Sequence, residues 1–194
     1  MRIAQVARHL LHRHHGGTLV GHWEAAYIAP VVPLARGWER QLDTADNPLF
    51  YGQAPLTPGS YRAWLLDNGV RYVALPDAAL DFAAQGEAAV IRAGVPGLRP
   101  VWRGAHWRVY GLSGSPGIVS GPAHLTQWGA SAIRLVARAP GNVVVRVRYS
   151  ANWDVDAGPA CVTRAPGGWI GLRTRAAGPV TLGVDAFAPA RQTC

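Results

Sequence analysis

The chain has 194 residues, enough for one large domain or two small ones with a buried core, and two is the expectation. Its formal charge of +8 rests on 19 basic residues, all arginine, spread along the chain instead of forming a block, so no nucleic-acid partner is expected. Charged residues reach only 15%, against roughly 25% in ordinary soluble domains, so part of the surface is expected to be covered by another body; 8 Trp, 15 Pro and 23 Gly exclude a helical bundle and indicate a β-rich, heavily turned chain.

Residues 1–20 form a basic amphipathic segment. Ile3, Val6, Leu10 and Leu11 recur at helical spacing among Arg2, Arg8 and Arg13, and Gly16-Gly17 ends the pattern, which predicts a short helix packed on its own domain. It has neither the build of a signal peptide nor the length of about 20 apolar residues that a spanning helix needs. His9, His12, His14 and His15 lie close together there, but no carboxylate accompanies them, and no metal site or cofactor is expected.

Between Thr18 and Gly52 neither period is sustained, and Pro30, Pro33 and Pro48 interrupt every trial element, so a long ordered loop is expected. The loop is rich in chemistry. His22, Trp23, Glu24, Trp38, Glu39, Arg40 and Asp43 combine flat apolar rings with carboxylates and guanidinium groups. Sugars and phosphosugars are held by that combination, with CH faces stacked on rings and hydroxyls or phosphate on the charged groups. The alternative is that the rings are core and the charges pair among themselves.

Residues 21–113 are expected to be a small α/β domain. Thr57-Pro58 is a helix start, a capping residue followed by proline at the first helical position, and Tyr61, Trp64 and Leu65 give the helix an apolar face. Gly69 ends it, and Val70 to Leu75 reads as a buried strand stopped by Pro76. A second helix from Gln85 to Ala93 ends at Gly94 and leads to a strand from Leu98 to Arg103. Strand, helix and strand predict a βαβ unit with parallel strands, and after a tight turn near Gly104 the strand from His106 to Leu112 returns antiparallel.

Ser113 to Gly117 has linker composition, and residues 118–194 are expected to be an antiparallel β-sandwich, giving an α+β chain in which a βαβ unit plus hairpin precedes the sandwich. Strands are predicted at Ile118 to Thr126, Ala132 to Ala137, Asn142 to Tyr149, Ala160 to Thr163, Trp169 to Thr174 and Val180 to Phe187. No internal repeat stands out. The best strand is the third: Val143, Val145, Val147 and Tyr149 point to one face, and Val144, Arg146 and Arg148 to the other, with the arginine heads toward solvent, a neighbouring domain or lipid phosphates. Asn152, Trp153 and Asp154 read as a turn that closes it. Trp153 is then either a plug for the end of the sandwich or an exposed binding platform.

Cys161 and Cys194 have no spacing that suggests zinc or thioredoxin chemistry. Outside the cytoplasm a bridge between them would close a loop of about 33 residues and add about 3 to 4 kcal/mol by the chain-entropy model. In the cytoplasm they would be two free thiols. No G-x-S-x-G elbow, Cys-His pattern or phosphate-loop spacing is present, and the carboxylates Glu24, Glu39 and Asp43 signal a glycosidase only if their separation in space allows it.

The runs LTPGSYRAWLLDNGVRYVALPD, VWRGAHWRVYGL, NVVVRVRYSANWDVDAG and APGGWIGLRTRAAGPVTLGVDAF resemble the C-terminal soluble part of large bacterial multi-spanning membrane proteins. These are the YfhO-type and pyruvoyltetrahydropterin synthase-related membrane proteins, relatives of the membrane (GT-C-like) glycosyltransferases that use polyprenyl-phosphate sugars. HWEAAYIAP and PLARGWERQLD look like actinobacterial members. The resemblance implies a domain outside the cytoplasmic membrane with a transmembrane domain or membrane-embedded partner, and a glycan or polyprenyl-linked sugar as ligand. It carries no catalytic residue onto this chain, because in such transferases the catalytic carboxylates lie between early spanning helices. The implied function is a non-catalytic accessory domain; a stand-alone carbohydrate-active enzyme using the His22 to Asp43 loop, or a purely structural interaction domain, are the alternatives.

Overall fold

The computed structural model describes residues 3–5, 32–35, 47–77, 80, 82–129, 131–184 and 194. Among them the chain is mostly strand with two α-helices, and it divides into two units, Met1–Ser115 and Pro116–Cys194, with the division inside the linker-like Ser113 to Gly117 stretch. No helix of the described residues is long and apolar enough to cross a membrane.

In the first unit, helix α1 (Pro58–Asp67) begins where the cap chemistry predicts. The Thr57 hydroxyl accepts from the Ser60 backbone N–H while the Ser60 hydroxyl accepts from the Thr57 N–H, so two otherwise orphaned donors are satisfied. Gly69 follows at φ 63°, the left-handed conformation that ends a helix and suits glycine best. Tyr61 and Leu65 are fully buried with Val73, Leu75, Leu112 and the α2 residues Ala88 and Ile91 (α2, Phe82–Ala93) in one core.

The four strands of this unit are β1 (Ile3–Gln5), β2 (Tyr72–Pro76), β3 (Leu98–Arg103) and β4 (Trp107–Leu112), in the order β1-β2-β4-β3. Two expectations change here. Residues Ile3 to Gln5 are an edge strand parallel to β2 and not part of a helix, with backbone pairing along an open edge prevailing there; the rest of the segment expected to be helical lies outside the described residues. Second, β2 and β3 do run in the same direction, each antiparallel to β4, but β4 lies between them. The tight β3–β4 connection, where the Gly104 N–H donates to Trp107 O at 2.9 Å, seats β4 beside β3, and the free edge of β4 then takes β2. Apolar patterning reports strand direction and burial but not this order.

The second unit is a β-sandwich of two four-stranded sheets. Its strands are β5 (Val119–Ser120), β6 (Ala123–Trp128), β7 (Ala132–Ala137), β8 (Gly141–Arg148), β9 (Trp153–Ala157), β10 (Ala160–Ala165), β11 (Trp169–Thr174) and β12 (Gly178–Val184), ordered β10-β11-β8-β5 and β6-β7-β12-β9. Ile133, Leu135, Val180 and Leu182 of one sheet and Val143, Val145, Ile170 and Leu172 of the other share one core. In β8 the predicted alternation holds, with Val143 and Val145 buried and Arg148 exposed.

Where one strand is predicted from Ile118 to Thr126 there are two, in different sheets, because Gly121 at φ 101° and Pro122, which has no N–H to donate, turn the chain between them. The Asn152 to Asp154 turn is also displaced: Trp153 and Asp154 already belong to β9, an edge strand paired with β12.

The sandwich contains a repeat. Residues 121–147 align without a gap onto 158–184, thirty-seven positions later, and eleven of the 27 pairs are identical, among them Gly121/Gly158, Pro122/Pro159, Ile133/Ile170, Leu135/Leu172 and Val143/Val180. Structure repeats with sequence. Arg138 N–H donates to Pro122 O and Arg175 N–H to Pro159 O, both at 2.7 Å. Ala137 pairs with Gly178 and Thr174 with Gly141, so β7·β12 and β11·β8 have the same register. Exchanging β5–β8 with β9–β12 turns each sheet order into the other. Each half, β5–β8 or β9–β12, therefore gives two strands to each sheet and cannot bury its apolar face alone.

Candidate functional site

His22, Trp23, Glu24, Trp38, Glu39, Arg40 and Asp43 lie outside the described residues, as do His9, His12, His14 and His15. Trp153 is described: it opens β9, is half-buried and packs on the sandwich core, the placement of a plug. No group of three or more metal-ligating side chains occurs among the described residues.

Cys161 and Cys194 are joined by a disulfide with Cα atoms 5.4 Å apart. Cys161 lies in β10, the edge strand of its sheet, and the Cys194 N–H donates to Val162 O at 3.3 Å. The bond therefore fastens the last residue of the chain to that edge.

The β8 arginines make hydrogen bonds to backbone and side-chain oxygens of the sandwich, and Arg148 is exposed, as the alternation predicts. Arg146 Nη1 donates to Gly117 O and to Ser120 Oγ, both at 3.0 Å. Arg148 Nη1 donates to Gly167 O at 3.0 Å, and its guanidinium lies 4.1 Å from the centre of the buried Trp169 ring. A cation over an indole face is attracted by the ring quadrupole, so Arg148 helps close the sheet.

A concave site of about 190 Å³ lies in the first unit, at the C-terminal ends of β2 and β3. Its wall combines Pro76 and Asp77 at the end of β2, Arg103 at the end of β3, the connection through Gly104 to His106, Trp107 and Arg108 of β4, and Arg92 in the last turn of α2. Register explains the cluster. Leu75, Arg108 and Arg103 stand side by side across three strands, so their side chains leave the same face of the sheet. Leu75 is in the core with Ile91 of α2, so this is the helix-covered face, and the two arginines lie at its rim beside Arg92.

Three guanidinium groups thus face one carboxylate, and that carboxylate is already engaged, with Asp77 Oδ2 3.2 Å from His106 Nδ1. Arg103 and Arg108 are directly opposed on antiparallel strands, an arrangement of like charges that destabilises a sheet by several tenths of a kcal/mol unless something neutralises it. No hydrogen bond or ion pair from the Arg92, Arg103 or Arg108 side chain to another described residue is present. Trp102, next to Arg103 in β3 and so on the other face of the strand, is 57% exposed and lays its ring on Gly104, where a Cβ would come within 2.3 Å of it, while Trp107 lines the hollow itself. The wall can hold an anion and offer a flat apolar face to whatever the anion is attached to.

Sequence reasoning passed over these residues because they are scattered from Asp77 to Arg108 and match no motif. One signal was present: the turn at Gly104, which places Arg103 and Arg108 opposite each other as soon as the hairpin is closed. No family model, curated protein or solved structure matches the chain.

Proposed function

We propose that this chain is a non-catalytic, extracytoplasmic accessory domain of a membrane glycosyltransferase-like protein, supporting or presenting a glycan or polyprenyl-linked sugar to a membrane-embedded partner. The observation that carries the reading is the Cys161–Cys194 disulfide. Disulfides form and persist in oxidising compartments, and one that secures the chain end to a sandwich edge is what a domain outside the cytoplasm gains from two cysteines. The sandwich and the low charged fraction of 15% agree with a body that docks against another. On this reading the first unit is a small α/β layer domain, and the loop from His22 to Asp43 supplies the sugar contacts through Trp23, Trp38 and the charged groups beside them.

The test is to express the full chain with its neighbouring membrane genes and measure two things, co-sedimentation with membranes and binding to a panel of glycans. Both are expected. Absence of both contradicts the proposal, and so does glycan turnover that is lost in Glu24→Ala and Glu39→Ala.

A further inference from the structure

We propose that the arginine-lined hollow between Asp77 and Arg108 is a binding site for a phosphomonoester, with the phosphate on Arg92, Arg103 and Arg108 and the attached organic group against Trp107. The proposal uses none of the residues from His22 to Asp43 and does not depend on the accessory-domain reading.

Three observations converge. First, the opposed Arg103 and Arg108 present two planar donor forks at the same rim, with Arg92 adding a third from α2. A phosphate dianion matches such forks with two parallel N–H···O bonds each, and relieves the repulsion between the facing cations. Second, the single carboxylate of the wall is turned to His106, so it does not neutralise the arginines. The same contact holds the imidazole at the rim. Third, a volume of about 190 Å³ falls below the roughly 300 Å³ at which ordinary small-molecule sites begin. That suits a phosphate with part of one sugar ring or a glycerol backbone, and is too small for an oligosaccharide.

A sugar phosphate and a lipid phosphate headgroup share this chemistry, and the experiment separates them. The full chain is titrated at low salt with glucose 1-phosphate, with glucose, with phosphatidylcholine vesicles and with the same vesicles carrying phosphatidic acid, while the backbone amides of residues 103–108 are followed by NMR. The expected result is a saturable shift of those amides with glucose 1-phosphate and none with glucose. A response to the phosphatidic acid vesicles alone assigns the same site to a lipid phosphate. Arg103→Gln and Arg108→Gln are each expected to weaken binding about tenfold, the loss of one charge-assisted contact. Because they also remove a like-charge pair, both are expected to keep or raise the unfolding temperature, which separates lost binding from lost folding. Arg92→Gln, outside the sheet, is a second check and should weaken binding without touching the strand pair. No amide shift with either phosphate source, or unchanged binding in all three variants, overturns the proposal.

Discussion

The repeat makes a quantitative claim about two glycines. Gly121 and Gly158 occupy equivalent corners at φ 101° and 111°, and a Cβ there would come within 2.4 Å of Asn142 O and 2.3 Å of Pro179 O, themselves equivalent positions. An alanine at either corner incurs about 1 to 3 kcal/mol for the backbone conformation. Pushing a neighbouring strand's backbone away adds about 1 to 3 kcal/mol of overpacking. Gly121→Ala and Gly158→Ala should therefore each destabilise the sandwich by about 2 to 6 kcal/mol, and by amounts that agree to within about 1 kcal/mol. Native-state hydrogen exchange of the Val145 and Leu182 amides reads this unit alone, and the slowest exchange should accelerate by about 30-fold to on the order of ten thousand-fold in both variants. If either substitution is neutral, or if one is tolerated and the other is not, the equivalence of the two corners is refuted.

Two further predictions concern the energetics of each unit. Cys194→Ser opens a loop of 33 residues and should cost about 3 to 4 kcal/mol, lowering the unfolding temperature of the second unit by roughly 15 to 25 °C in a calorimetric scan; a loss below about 1 kcal/mol contradicts the role given to the bond. In the first unit the Tyr61 hydroxyl donates to Glu87 Oε1 at 2.7 Å, and both residues are fully buried. Tyr61→Phe keeps the packing but leaves the buried acceptor without this donor, so urea unfolding should show a loss of about 1 to 3 kcal/mol, and an unchanged midpoint would mean the contact is not made.

How far the fold could be read in advance depended on whether a feature is local. The Thr57 cap, the glycine that ends α1 and the alternation of β8 are each decided within a few residues, and there sequence and structure agree. Strand order is not local. β4 enters between β2 and β3 because of a hairpin that patterning does not weigh against the βαβ alternative. The identities of the repeat are thinly spread over corners and core positions such as Gly121/Gly158 and Ile133/Ile170, while the positions between the core residues have diverged, the exposed Arg134 aligning with the buried Gly171 and the half-buried Val136 with the exposed Arg173. For the ligand sites the difference is sharper. Aromatic and charged density drew attention to His22 through Asp43, whereas the arginine hollow comes from cross-strand register, which brings Arg103 beside Arg108 and both near Arg92.

The central claim is that this domain works outside the cytoplasm, and the state of its two cysteines in the cell tests it most directly. Cells producing the full chain from its own gene neighbourhood are quenched in a membrane-permeant alkylating agent without reductant, and the intact mass of the protein is measured. The account predicts a single species with the Cys161–Cys194 bond intact and no alkyl group added. A protein carrying two alkyl groups, both thiols free, would contradict it.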